Sequence, residues 1–188
     1  MNSKTVSIIG LILLTMSQVL LSFGYEFLMS QRPIDFAHWS LLISALLMFS
    51  LWFSLPHNLT KKIGLTLMTI GIGGVIGMCT IDFVLWAAHT NPSLKNDTLS
   101  LIMSTKSLQV PFLMIGPSLF YGGMSIATYG LFINHKIPVA LINLGAIGIG
   151  LGFMIFNNHM LPAVGSLLLL IGFGLLLFGF KKPLTHST

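Results

Sequence analysis

The sequence predicts an all-α membrane protein, a bundle of six transmembrane helices with short loops and both termini in the cytoplasm. Of its 188 residues, 54% are hydrophobic and only 7% are charged, whereas about 25% of a soluble domain is charged. The apolar residues form long runs, and a run of about 20 residues suffices to cross a bilayer as a helix. So few charges cannot cover a soluble surface. We therefore expect the lipid bilayer to surround a single domain, residues 1–188.

The six predicted spans cover residues 5–29, 39–55, 63–89, 107–132, 138–156 and 160–180. In the first, the apolar stretch Val6–Phe23 exceeds the roughly 7–15 apolar residues of a signal peptide, so we expect this helix to be retained. The connection 93–106 has spaced apolar residues that suit a short interfacial helix. Pro111 and Pro117 interrupt the fourth span and predict a kink, because a proline leaves a backbone carbonyl without its donor.

The basic residues orient these spans. One side of the predicted layout carries Lys4, Lys61, Lys62, Lys136, Lys181 and Lys182. The other carries Arg32, Lys95 and Lys106. An excess of Lys and Arg marks the cytoplasmic side, so both termini are predicted there. Because these bases are scattered along the chain, no nucleic-acid partner is expected. Short loops and scarce acids suit a multi-pass protein of a bacterial inner membrane.

Polar side chains collect at the predicted outer ends of the spans. An acid within an apolar run merits a functional hypothesis, because a charge at the bilayer centre costs at least about 2.5–3.5 kcal/mol. Asp82, Trp86 and His89 fall on one stripe of the third span at about 100° per residue. The candidate outer-mouth cluster consists of Glu26, Asp82, Trp86, His89, Gln109 and His159. It either binds a ligand, or consists of interfacial residues that face water, with Asp82 paired to Arg32 or Lys106.

A second candidate site is a polar stripe on the fourth span, formed by Ser118, Tyr121 and Ser125 at spacings of three and four residues. Hydroxyls on one helix face can bond to neighbouring helices, each for about 0.6 kcal/mol on average. Gln18, Ser22 and Asn143 are predicted partners. The alternative is a narrow polar path beside the Pro117 kink.

No cofactor and no metal site are expected. The histidines lack the spacing of a zinc-binding helix, and Cys79, the only cysteine, excludes a cysteine cluster. The sequence has no nucleotide-binding or hydrolase motif in a suitable context. Gly73 and Gly77, like Gly148 and Gly152, have the spacing of close helix contacts. These glycines either pack spans of one chain together or form a homo-oligomer interface.

Three functions remain open. The first is a non-enzymatic binding or assembly component, acting alone or with another membrane protein. The second is a small transporter or channel, as a single chain or a homo-oligomer, that uses the Tyr121–Ser125 stripe and the Pro117 kink. The third is a membrane-embedded enzyme or redox carrier at the outer leaflet. That last function requires Glu26, Asp82 and His89 to converge.

Overall fold

The computed structural model describes residues 2–156, 158 and 160–179. The structure is 86% helical and has no strand among these residues, which confirms the predicted all-α class. The helices are α1 (Ser3–Ser22), α2 (Tyr25–Ser30), α3 (Phe36–Met48), α4 (Leu51–Ser54), α5 (Leu59–Ala87), α6 (Pro92–Ser104), α7 (Lys106–Leu108), α8 (Gly116–Tyr129), α9 (Lys136–Leu151) and α10 (Met160–Gly179). A 3₁₀ turn and two π-helical turns cover Ala88–Thr90, Gln109–Ile115 and Gly152–Phe156.

Five helical segments are long and apolar enough to cross a membrane. They are Ser3–Ser22, Phe36–Ser54, Leu59–Thr90, Lys106–Tyr129 and Met160–Phe178. The predicted fifth span, residues 138–156, corresponds to α9, which has only 16 residues and continues as the π-helical turn Gly152–Phe156. Length and composition thus support five of the six predicted spans.

The long helices alternate in direction and surround a common centre. α1 packs against α3, α3 against α5, α5 against α8, α8 against α9, α9 against α10, and α10 against α1. We call this arrangement the helix ring. At one of its ends, the Lys4 ammonium donates to the Leu177 carbonyl over 2.7 Å. There Gly130 N–H also donates to the Thr60 hydroxyl over 3.1 Å. This end, where α1 begins and α10 ends, is called the inner end below.

Short polar residues explain where helices begin and end. Asn2, Asp35, Asn58 and Asn91 accept a backbone N–H of the first turn that follows them, which is the preferred role of Asn and Asp at a helix start. Gly24 separates α1 from α2 with φ 88°, a conformation that favours glycine. The single helix predicted over residues 5–29 is therefore two helices.

The fourth predicted span is also divided. Its outer part, around Pro111, is the π-helical turn Gln109–Ile115, and the regular helix α8 begins only at Gly116. Because Pro111 lacks an N–H and its ring crowds the preceding turn, the regular α-helical bonding is interrupted there. The predicted connection 93–106 is almost entirely helical, as α6.

Glycines allow α5 and α8 to approach closely. A Cβ on Gly64, Gly71 or Gly74 would overlap the backbone of α8, and a Cβ on Gly116 or Gly123 would overlap the backbone of α5. Such contacts replace the hydrophobic attraction that helices lack in lipid. This close contact lies within one chain. Gly73, by contrast, has no heavy atom within 4 Å of a built Cβ.

Candidate functional site

A cavity of about 720 Å³ occupies the outer part of the helix ring. α1, α3, α5, α8 and α9 contribute to its wall, together with the two π-helical turns. Most of the wall is apolar. Its polar side chains are Gln18, His38, Asp82, Ser118, Tyr121 and Ser125. This size and composition are typical of a binding site for a small molecule, in which a few polar groups orient the ligand within an apolar pocket.

α8 and α9 are hydrogen-bonded to each other at the inner end of the cavity. There the Ser125 hydroxyl donates to the Asn143 side-chain oxygen over 2.8 Å. Further out, wall residues on both sides are open to the surroundings, with Met114 45%, Ile147 55% and Phe153 46% exposed. The cavity therefore opens sideways, between α8 and α9. From Ser125 to the π-helical turn it extends over roughly 18 Å at the α-helical rise per residue.

Gln18 of α1 crosses the helix ring to reach α8. Its amide nitrogen donates to the Tyr121 hydroxyl over 3.3 Å. Gln18 is only 1% exposed, and its carbonyl oxygen has no hydrogen-bond partner. If the amide were turned by 180°, its nitrogen would be the unpaired atom. Because an unpaired buried polar group costs about 1–3 kcal/mol, such groups in native proteins call for an explanation. A ligand that bound in the cavity would pair with this atom of Gln18.

His38 lies between two carboxylates. Its Nδ1 is 2.6 Å from Asp35 Oδ2, and its Nε2 is 3.2 Å from Asp82 Oδ2. Asp35 is buried, begins α3 and also accepts the His38 backbone N–H over 3.1 Å. Asp82 belongs to α5 and lines the cavity. The three side chains thus connect the start of α3 to the cavity wall.

Of the described residues of the predicted outer-mouth cluster, only Asp82 lines the cavity. Asp82 is at the cavity, whereas Glu26 is exposed on α2. Trp86 carries the Arg32 guanidinium 4.8 Å above its ring. The indole nitrogen of Trp86 and Nδ1 of His89 are buried without a partner. Among the described residues, no hydrogen bond or ion pair joins Glu26, Asp82 and His89. The partner of Asp82 is the His38 imidazole, and Arg32 and Lys106 make no ion pair with Asp82.

Of the two remaining cluster residues, the structure describes Gln109 alone. Gln109 is half-buried at the start of the π-helical turn and does not line the cavity. His159 lies outside the described residues. The polar stripe, in contrast, is brought together: Ser118, Tyr121 and Ser125 all line the cavity. Tyr121 and Ser125 also make the interhelical hydrogen bonds to Gln18 and Asn143 that the sequence suggested.

His38 is central to the site but was not in the predicted outer-mouth cluster, and Gln18 was predicted only as a partner of the polar stripe. The signal for His38 was the spacing Asp35-x-x-His38, in which an Asp at a helix start lies one turn before a histidine. The signal for Gln18 was an amide within an apolar helix. The His38 spacing does not identify Asp82 on α5 as the second partner, because the order of neighbouring helices is tertiary information.

The wall carries groups that can bind a ligand. Within the described ranges there is no group of three or more His, Cys, Asp and Glu that could hold a metal ion. The cysteine Cys79 is buried. What the wall offers is a carboxylate, a buried amide with one free atom and three hydroxyls. These groups can hydrogen-bond or pair with a ligand whose remaining surface is apolar.

Comparison with known proteins gave no matching family model, no matching curated protein and no matching solved structure.

Proposed function

We propose that this chain is a non-enzymatic, multi-pass membrane protein that binds an amphipathic small molecule taken up from the bilayer. The observation that carries the proposal is the cavity, which combines an apolar wall, a sideways opening and the buried unpaired amide atom of Gln18. A ligand that enters between α8 and α9 need not pass through water. Its polar group would meet Gln18, Tyr121 and Asp82.

The proposal includes six spans with both termini in the cytoplasm. α9 and its π-helical continuation together form the remaining span, which packs antiparallel to α10 through Gly145 and Gly165. The contact between Lys4 and Leu177 supports termini on the same side. The excess of basic residues at the inner end supports a cytoplasmic location for that side. We propose a bacterial inner membrane as the location.

Binding can be tested with 1-N-phenylnaphthylamine, an uncharged apolar fluorophore, titrated into the protein in lipid nanodiscs against empty nanodiscs. Gly150 lines the cavity and has no heavy atom within 4 Å of a built Cβ. Gly150→Leu should therefore narrow the cavity without disturbing the helices, and weaken saturable binding.

The matched control is Gly174→Leu. Gly174 on α10 has equally open surroundings but does not line the cavity, so this variant should bind like the wild type. The proposal is wrong if the wild type shows no saturable binding, or if both variants bind equally well.

A transporter is the second candidate. It is favoured by the polar wall on α8, which continues inward as far as Ser125. In the present arrangement the hydrogen bond between Ser125 and Asn143 lies at the inner end of the cavity. Transport would require α8 and α9 to separate there. Uptake of the same fluorophore into sealed proteoliposomes, compared with protein-free liposomes, would distinguish transport from binding.

A further inference from the structure

We propose that the ligand is an amphipathic cation, an apolar amine or quaternary ammonium compound, whose positive group pairs with Asp82. This inference rests on the proposed binding function and specifies the ligand class. Two independent observations at the cavity support it. One is the excess of negative charge in and behind its wall, and the other is the unpaired amide atom of Gln18.

Beside the cavity, two acidic side chains stand against one basic side chain. Asp35 and Asp82 share one imidazole, that of His38, and one imidazolium can neutralise only one of two carboxylates. The shorter contact goes to Asp35, 2.6 Å against 3.2 Å. Asp35 is 1% exposed, whereas the Asp82 side chain is 28% exposed. Asp82 is therefore the carboxylate that is less compensated and more accessible from the cavity.

Among the described residues, no Lys or Arg forms an ion pair with Asp82. The residues that line the cavity, all within the described part, include neither Lys nor Arg. Arg32 donates to the Met29 and Gln31 carbonyls and lies over Trp86. Lys95 lies 4.2 Å from the centre of the Tyr25 ring. An external cation is thus the partner that this wall lacks.

The apolar wall determines the rest of the ligand. Small hydrated cations gain little from a cavity whose wall is mainly apolar, because they lose their hydration shell on entry. A cation with a hydrocarbon or aromatic body buries that body there and enters from lipid between α8 and α9. The free amide atom of Gln18 can then bond to a polar group of the ligand, directly or through water.

The test compares two ions of nearly equal size and opposite charge, tetraphenylphosphonium and tetraphenylborate, by calorimetry with the protein in zwitterionic nanodiscs. The wild type should bind tetraphenylphosphonium saturably and tetraphenylborate at least about tenfold more weakly. Asp82→Asn should weaken tetraphenylphosphonium binding by about tenfold or more. Equal binding of the two ions by the wild type would overturn the inference.

The matched control is Asp97→Asn, which changes the net charge by the same amount on α6, where Asp97 is exposed and does not line the cavity. It should bind tetraphenylphosphonium like the wild type. Equal effects of the two substitutions would contradict a role of Asp82 in the cavity.

A measurement on the wild type avoids dependence on the folding of Asp82→Asn. The apolar reagent dicyclohexylcarbodiimide modifies carboxyl groups in apolar surroundings, and mass spectrometry locates the modification. Tetraphenylphosphonium should protect Asp82, and tetraphenylborate should not. Equal protection by both ions, or by neither, contradicts the inference.

The two proposals fail in different ways. Suppose that the uncharged fluorophore binds, that Gly150→Leu weakens its binding, and that tetraphenylphosphonium does not bind. Then only the proposed ligand class, an amphipathic cation, is wrong. If the fluorophore does not bind either, the binding function itself is wrong.

Discussion

The side chains of Gln18 and Tyr121 meet across the helix ring, with the amide nitrogen 3.3 Å from the hydroxyl oxygen. They belong to α1 and α8, which are far apart in sequence. The contact satisfies the buried hydroxyl of Tyr121 and one half of the Gln18 amide, and leaves the other half unpaired at the cavity. The contact thus joins two helices and also leaves one polar atom of Gln18 unpaired at the cavity wall.

The contact predicts an unusual pair of mutational effects. Tyr121→Phe should lower the free energy of unfolding by about 0.6–1.7 kcal/mol, the measured range for an interhelical hydrogen bond in a membrane. Adding Gln18→Leu should restore the lost stability, because it removes the amide that Tyr121→Phe leaves wholly unpaired. Thermal unfolding in detergent, without ligand, measures both effects.

Tyr129→Phe is the control for these variants, since Tyr129 is 66% exposed. It should leave stability unchanged. A double variant less stable than Tyr121→Phe alone would show that the Gln18 amide has a partner in the protein.

Lys61 is predicted to stabilise the fold through its ammonium group. This side chain is buried and donates to the Leu55 carbonyl just after α4, over 2.8 Å. Lys61→Met should cost about 1.5–3 kcal/mol, as for other hydrogen bonds to charged groups. Lys62→Met should cost less than about 0.5 kcal/mol because Lys62 is exposed. Equal unfolding temperatures for the two variants would contradict the role of Lys61.

The α5–α8 contact predicts different tolerance at neighbouring glycines. Gly74→Ala should lower stability by about 1–3 kcal/mol, because the added methyl overlaps the backbone of Gly116 and forces the helices apart. Gly73→Ala should be neutral or stabilising, since alanine is the better helix former. Fluorescence-detected size-exclusion chromatography after heating compares the two. A more stable Gly74→Ala would show that α5 and α8 do not approach this closely.

Cysteine labelling tests the proposed topology. In a Cys79→Ala background, Asn96→Cys on α6 and Asn134→Cys between α8 and α9 are both at exposed positions. A membrane-impermeant maleimide added to intact spheroplasts should label position 96. It should label position 134 only after lysis. The reverse pattern would mean that the topology is inverted. Labelling of both positions in intact cells would contradict the prediction that they lie on opposite sides of the membrane.

The helical class could be predicted from the sequence, because apolar runs with few charges leave little alternative to helices in lipid. The boundaries of the helices were harder to predict from the sequence. The positive φ of Gly24 and the π-helical turn around Pro111 depend on local backbone geometry that composition does not determine. α9 is an intermediate case: its apolar run continues to Phe156, but regular α-helical bonding ends at Leu151.

The site was predicted in part, along single helices. The Ser118, Tyr121 and Ser125 stripe follows from helical periodicity, and the structure places it on the cavity wall. Periodicity cannot tell which helices are neighbours. Asp82 was therefore expected near Glu26, or paired with Arg32 or Lys106, whereas the structure puts it beside His38.

We propose that the cavity opens sideways into hydrocarbon and takes its ligand from there. Spin labels at Ser118→Cys, on the cavity wall, and at Leu175→Cys, on the exposed face of α10, test it most directly by electron paramagnetic resonance in a Cys79→Ala background. Dissolved oxygen, which concentrates in lipid, should relax both labels strongly, and a water-soluble nickel chelate should relax them weakly. Saturating 1-N-phenylnaphthylamine should then reduce the oxygen effect at position 118 alone. An unchanged oxygen effect at position 118, or a stronger effect of the nickel chelate there, would contradict the claim.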